Sequence, residues 1–126
     1  MFEKVIQIGL LFDFYGKLLS SKQYEAIELY YVHDLSLSEI GEQLDISRQG
    51  VHDLIKRGEK RLNTYEEKLG LVNKFNSNNK KIKKILDCAN EINKDIDGFR
   101  KDTICDNILY IEKLATEILE SNQEVK

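Results

Sequence analysis

"LSLSEIGEQLDISRQGVHDLIKRGEKRL", residues 35–62, carries two helix starts, a turn and a basic tail in one short stretch. Ser36 and Glu39 stand three apart as the two members of a capping box, with Leu35 and Ile40 flanking them as a hydrophobic staple. The short helix that follows is expected to end near Leu44. "DIS" then makes a turn, and Ser47 caps a longer helix running through Tyr65 to about Leu69. Gly50 stands where a second box partner would be, but Ile46 and Val51 keep the staple. Ile40, Gly41, Leu44, Ile46, Val51 and Leu54 fall where a helix-turn-helix needs its small apolar cluster. Ile40 and Leu44 face inward from the first helix and Gly41 lets the helices approach. Ile46 plugs the turn, and Val51 and Leu54 return the contact. Asp45 occupies the turn itself, and Asp tolerates a left-handed backbone better than most residues.

Upstream, residues 2 to about 19 repeat apolar side chains three or four apart (Val5, Ile8, Leu11, Phe12, Tyr15, then Leu18 or Leu19), which predicts a helix. "SSKQ" starts another, with Ser20 and Gln23 as a capping box and Leu19 and Tyr24 as the staple, and it is expected to reach Val32. Its stripe of Tyr24, Ile27, Tyr30 and Tyr31 reads as core or interface rather than as a base-stacking platform, because it lies among acids and not arginines. Downstream, Gly70 and "FNSNNKK" shift the composition. Residues 73–79 read as a linker or helix junction with Ser77 as a cap. Two amphipathic stretches follow, Ile82 to Ile96 and Ile104 to Ile118, broken at Asp97 and Gly98 so as to form an antiparallel hairpin. The expected fold is all-α, with a helix-turn-helix domain over residues 1–72 and a hairpin over residues 77–121 that packs on it or serves dimerisation.

The 126 residues suit one domain or two small helical units; 41% are hydrophobic and 33% charged, with no proline to interrupt long helices. "VIQIGLLFDFYG" is too short and too polar for a membrane span and lacks the parts of a signal peptide, so a cytoplasmic protein is expected. Cys88 and Cys105 are far apart with no CxxC and no nearby histidine. They read as thiols, not as a zinc site or redox pair. His33 and His52 are isolated, and no phosphate loop, catalytic triad or paired-carboxylate pattern stands out. Neither enzyme activity, cofactor nor metal is expected.

The formal net charge of −3 hides its distribution. Residues 20–46 hold one lysine against six acids, a net of −5, whereas residues 47–64 set Arg48, Lys56, Arg57, Lys60 and Arg61 against Asp53 and Glu59, a net of +3. The sign changes where the recognition helix begins. Gln49 can donate and accept at adenine, Arg48 can reach guanine or phosphate, and the later lysines and arginines suit phosphates. Asp53 can accept from cytosine but is repelled by phosphates. A competing account leaves Arg48 and Gln49 as a solvated first turn, His52 as a surface residue or a carboxylate's partner, and Lys56 to Arg61 as a solvated face. Lys80, Lys81, Lys83 and Lys84 offer a second basic patch.

Residues 20–62 resemble the fourth-region DNA-binding module of bacterial sigma factors. From "FDFYGKLLS" and the following "KQ" through "IKRGEKRL", the chain resembles the YlxM/p13-like family of small bacterial helix-turn-helix proteins. The sigma-like resemblance places Ser36 and Glu39 at the start of the supporting helix, and Arg48, Gln49, His52 and Asp53 nearest the groove, with Lys56, Arg57, Lys60 and Arg61 farther along. It implies a transcriptional regulator that reads double-stranded DNA; the family adds a link to the signal recognition particle pathway. The alternative is a protein-interaction module that keeps the fold without DNA, with RNA polymerase or a signal recognition particle component as its partner; the acids at residues 25–45 favour it. A homodimer is expected from the isoleucine-striped hairpin.

Overall fold

The computed structural model describes residues 2–95 and 101–123. The described chain is all-α: α1 (Phe2–Tyr15), α2 (Ser21–Ile27), α3 (Leu37–Leu44), α4 (Arg48–Leu69), α5 (Leu71–Asp95) and α6 (Lys101–Gln123), with a 3-10 turn at Gly16–Leu18 and a π-helical turn at Glu28–Val32. It divides into two compact units, Met1–Val72 and Asn73–Lys126.

Local chemistry sets most ends in the first unit. Both capping boxes form: Ser20 Oγ accepts from the Gln23 amide and Ser36 Oγ from the Glu39 amide, while each partner side chain accepts from the cap's own amide. The Ser36 amide and hydroxyl hold the Glu39 carboxyl below its ordinary range, because both stabilise the anion. Ser47 Oγ accepts from the Gly50 amide and so caps α4. Asp45 closes α3 in the left-handed region at φ 58°, and Gly70 closes α4 at φ 63°. Such caps satisfy backbone groups that a helix end would otherwise leave unpaired.

α1, α2 and α3 all pack on α4. The core comprises Ile8, Leu11, Phe12 and Tyr15 of α1, Ile27 of α2, Ile40 of α3, and Val51, Ile55 and Leu62 of α4. Within the helix-turn-helix cluster Ile40, Gly41 and Val51 are buried, whereas Leu44, Ile46 and Leu54 are half-buried against them. Val5, expected on the apolar stripe of α1, is exposed, and of the two alternatives Leu18 and Leu19 it is Leu19 that is buried. α1 ends at Tyr15, earlier than its periodicity suggests. Two glycines mark close approaches. A Cβ on Gly41 would stand 2.8 Å from the Ile46 carbonyl oxygen, and one on Gly58 would stand 2.4 Å from Ile27 Cδ1.

α5 starts with help from distant side chains. Its first amide, at Leu71, donates to the buried Tyr15 hydroxyl (3.1 Å), and the Val72 amide donates to Glu66 Oε1 (3.0 Å). Tyr15 in turn donates to that same carboxylate oxygen at 2.6 Å. Burial first, and Glu66 second, raise the Tyr15 phenol above its ordinary value.

The linker expected at residues 73–79 is not there. α5 continues through Asn73, Asn76, Ser77, Asn78 and Asn79 without a break, so Ser77 lies inside a helix and caps nothing. The break expected at Asp97 and Gly98, and Ile96 of the stripe before it, lie outside the described residues. Six residue steps from Asp95 to Lys101 reach at most about 21 Å, while α5 is about 37 Å long. Lys81 Nζ of α5 meets Glu117 Oε2 of α6 at 3.4 Å, and with so short a connection that contact requires α6 to return antiparallel. Among the described residues of this second unit, Cys88 and Leu114 are buried apolar side chains, while Phe75, Ile82, Leu86, Ile108, Leu109 and Leu119 are exposed. Both cysteines are free, Cys88 buried and Cys105 exposed. No described helix is long and apolar enough to cross a membrane.

The contacts around Gly41 and Gly9 differ enough to predict opposite signs for one substitution. Gly41→Ala meets a backbone oxygen that cannot yield and should cost about 1–3 kcal/mol. Gly9→Ala, with nothing within 4 Å of the new Cβ, should gain up to about 1 kcal/mol from helix propensity. Urea denaturation of the two variants checks this.

Candidate nucleic-acid interface

α4 is a 22-residue helix with two different faces. Val51, Ile55, Gly58 and Leu62 meet the other helices, and at 3.6 residues per turn the opposite side carries Gln49, Asp53, Lys56, Arg57 and Lys60, all exposed. Arg48 and His52 are exposed toward the flank that also carries Glu59. The expected contact residues are therefore brought onto one continuous surface along the first four turns of α4, with Arg61 as the exception.

Several already have partners. Gln49 Nε2 donates to Asp53 Oδ1 at 3.2 Å, and His52 Nδ1 lies 3.8 Å from the same oxygen. Asp53 therefore holds the Gln49 amide through its donor end, and the carbonyl is not part of that bond. Lys56 Nζ lies 3.6 Å from Glu59 Oε2, and Lys4 of α1 reaches that oxygen at 3.7 Å. Among the described residues, the side chains of Arg48, Arg57 and Lys60 make no hydrogen bond or ion pair. Arg61 is committed to the frame. Its guanidinium donates to Gln23 Oε1 at 3.2 Å, to the Leu18 carbonyl at 3.4 Å and to the Tyr65 hydroxyl at 2.9 Å. It thus ties α4 to the start of α2.

Periodicity alone hinted at one further residue. Glu59 falls four after Ile55 and three before Leu62, on the edge of the buried stripe, and its residue exposure is only 7%. The hydroxyl of Tyr31, at the end of the π-helical turn, donates to its carboxylate. That turn closes with the His33 amide donating to the Glu28 carbonyl at 3.1 Å and the Leu35 amide to the Leu29 carbonyl at 3.0 Å. Asp34 then takes φ 58°. Burial, with Glu59 next, pushes the Tyr31 phenol far up. No signal in the tyrosine stripe distinguished Tyr31 from Tyr30, which is exposed and stacked edge-on against it at 5.0 Å.

Two capped helices joined through a left-handed residue, the second presenting a polar and basic outer face, define a helix-turn-helix protein. Residues 2–103 match the sequence pattern of the family described as "Putative helix-turn-helix protein, YlxM / p13 like", and the chain belongs to that family. A UPF0122 protein of Desulforamulus reducens is 40% identical over 119 residues, covering 94% of this chain and 96% of its own. One of Thermoanaerobacter sp. is 48% identical over 114 residues, 90% and 92% of the two chains. One of Caldanaerobacter subterraneus subsp. tengcongensis is 61% identical over 79 residues, 63% and 68% of the two chains.

Removing the Tyr31 hydroxyl leaves a nearly buried carboxylate short of a donor. Tyr31→Phe should destabilise the first unit by about 1–3 kcal/mol. It should also remove one of the phenols whose ionisation is pushed to higher pH, leaving that of Tyr15, which a spectrophotometric titration of the tyrosines reads as a smaller late-titrating fraction.

Proposed function

We propose that this protein binds duplex DNA through α4 and acts as a sequence-preferring transcriptional regulator. The observation that carries this reading is the exposed outer face of α4, where polar and basic side chains emerge opposite the helix's buried stripe. Gln49, with Arg48 and His52 beside it, suits base edges near the helix start; Arg57 and Lys60, and Lys56 once released from Glu59, suit phosphates. Asp53 opposes the backbone electrostatically and restrains Gln49. Self-association belongs to the same reading, since helix-turn-helix readers commonly bind as dimers. The exposed apolar residues of α5 and α6 support it: Ile82, Leu86, Ile108, Leu109 and Leu119 leave surface for a second copy to cover.

A second reading is favoured by a groove of about 790 Å³ beside the π-helical turn, lined by Val5, Tyr30, Tyr31 and Leu35 together with Asp34, Glu39 and Lys4. Such a largely apolar recess with charged groups in its wall suits a protein partner, and in this alternative the chain is an adaptor for RNA polymerase or a signal recognition particle component.

Selection from random duplexes should enrich a motif, and binding should weaken as salt rises because phosphate contacts release condensed cations. Gln49→Ala should weaken the preferred site more than random DNA, by about 1–3 kcal/mol of discrimination. Lys60→Ala should weaken both alike and lower the salt slope by about 1. Asp53→Asn should strengthen nonspecific binding. Folded protein that shows neither enrichment nor salt-dependent retention would transfer the assignment to the adaptor reading. Sedimentation equilibrium at high micromolar concentration should give a dimer, and a monomer there removes the self-association part.

A further inference from the structure

From Lys68 to Leu86 the chain carries six lysines and no carboxylate, although acids outnumber bases 22 to 19 overall. The structure places most of this stretch on α5 and sorts it by face. At 100° per residue, Asn73, Asn76, Ser77, Lys80, Lys83 and Lys84 share one side of the helix, and all six are exposed. Lys81 points elsewhere and pairs with Glu117. Lys80, Lys83 and Lys84 have no ion pair among the described residues.

Two features of this face work against the helix that carries it. Lys80 has like charges three and four residues on, where a Glu would have added a favourable pair. Asn and Ser are poor interior helix formers because their side chains compete for backbone hydrogen bonds. Solubility alone requires neither, since alternating Glu and Lys solvate a helix while stabilising it. Where a sequence breaks local rules on one exposed face, a binding role is the natural cause. Unpaired ammonium groups, with the Asn76 amide and Ser77 hydroxyl one turn before them, are the donors that phosphate oxygens accept.

We propose that this face of α5 is a second nucleic-acid contact, gripping the phosphate backbone of duplex DNA without reading its sequence. It rests on the reading of α4 as the DNA-contacting helix. With Arg61 committed elsewhere, α4 offers Lys56, Arg57 and Lys60 to the backbone, and three more lysines on α5 double that number.

The test is fluorescence anisotropy of the full-length protein on a labelled preferred duplex and a random one, each across a salt series. Lys80→Gln/Lys83→Gln/Lys84→Gln should lower the log–log salt slope by about 2–3, at roughly 0.9 per phosphate, on both duplexes, leaving their affinity ratio unchanged. Arginine at the same three positions should restore the slope. Asn76→Ala/Ser77→Ala should raise the melting temperature, since Ala is the best helix former, yet weaken binding several-fold; a face with only a structural role would not separate the two. An unchanged slope in the glutamine variant, with sequence preference intact, overturns this inference and leaves α4 standing. Loss of slope in a protein without sequence preference supports it while removing the sequence-reading role of α4 and leaving α4 as a backbone contact. Weakening confined to a folded RNA hairpin used as the probe overturns it, and no binding to either duplex overturns both.

Discussion

A Cβ on Gly41 would stand 2.8 Å from the Ile46 carbonyl oxygen, and between them Asp45 turns the chain at φ 58°. These two conditions bring α3 and the following turn close enough for Ile40 and Val51 to lose all contact with water. They also fix where Ser47 caps the next helix. α4 leaves the turn with one stripe committed to α1, α2 and α3, and the opposite face is thereby turned outward. The candidate interface is a consequence of this packing.

Polar side chains then tie the neighbouring elements to α4 along its length. Glu59 takes Tyr31 from the π-helical turn and Lys4 from α1. Arg61 takes Gln23 and the Leu18 carbonyl. Glu66 takes Tyr15 and the first turn of α5. Apolar contacts are tolerant of sliding, whereas a buried polar group left without its partner is costly, so such contacts favour one register. The same chemistry divides the basic residues. Arg61 and Lys4 serve the frame; Arg48, Arg57 and Lys60 remain outside it.

The net charge of −3 therefore says little about what the surface attracts. Positive charge is gathered on the outer face of α4 and on one face of α5, while acids dominate residues 20–46. At physiological salt, charges more than about 8 Å apart are largely screened from one another, so a phosphate responds to the local balance of charge and not to the total. Segregation allows an acidic chain to present a cationic surface.

What the sequence by itself determined was whatever depends on neighbours within about four residues. Ser20 with Gln23, Ser36 with Glu39, Ser47 before α4, Asp45 in the turn and Gly70 after Leu69 act through local hydrogen bonds and backbone preference, and each is found where its pattern indicates. The outward direction of Gln49, Lys56 and Lys60 was legible for a related reason: they lie opposite Val51, Ile55 and Leu62 on a regular helix. Tertiary structure decided what rests on distant partners. Residues 73–79 have the composition of a linker, yet they continue α5, whose start is held by Tyr15 and Glu66 and whose later turns pair with α6 through Lys81 and Glu117. Glu59 and Arg61 look like members of a basic, solvated run until Tyr31, Lys4 and Gln23 are brought beside them. Propensity is worth a few tenths of a kcal/mol per residue, and a few well-placed contacts from elsewhere in the chain outweigh it.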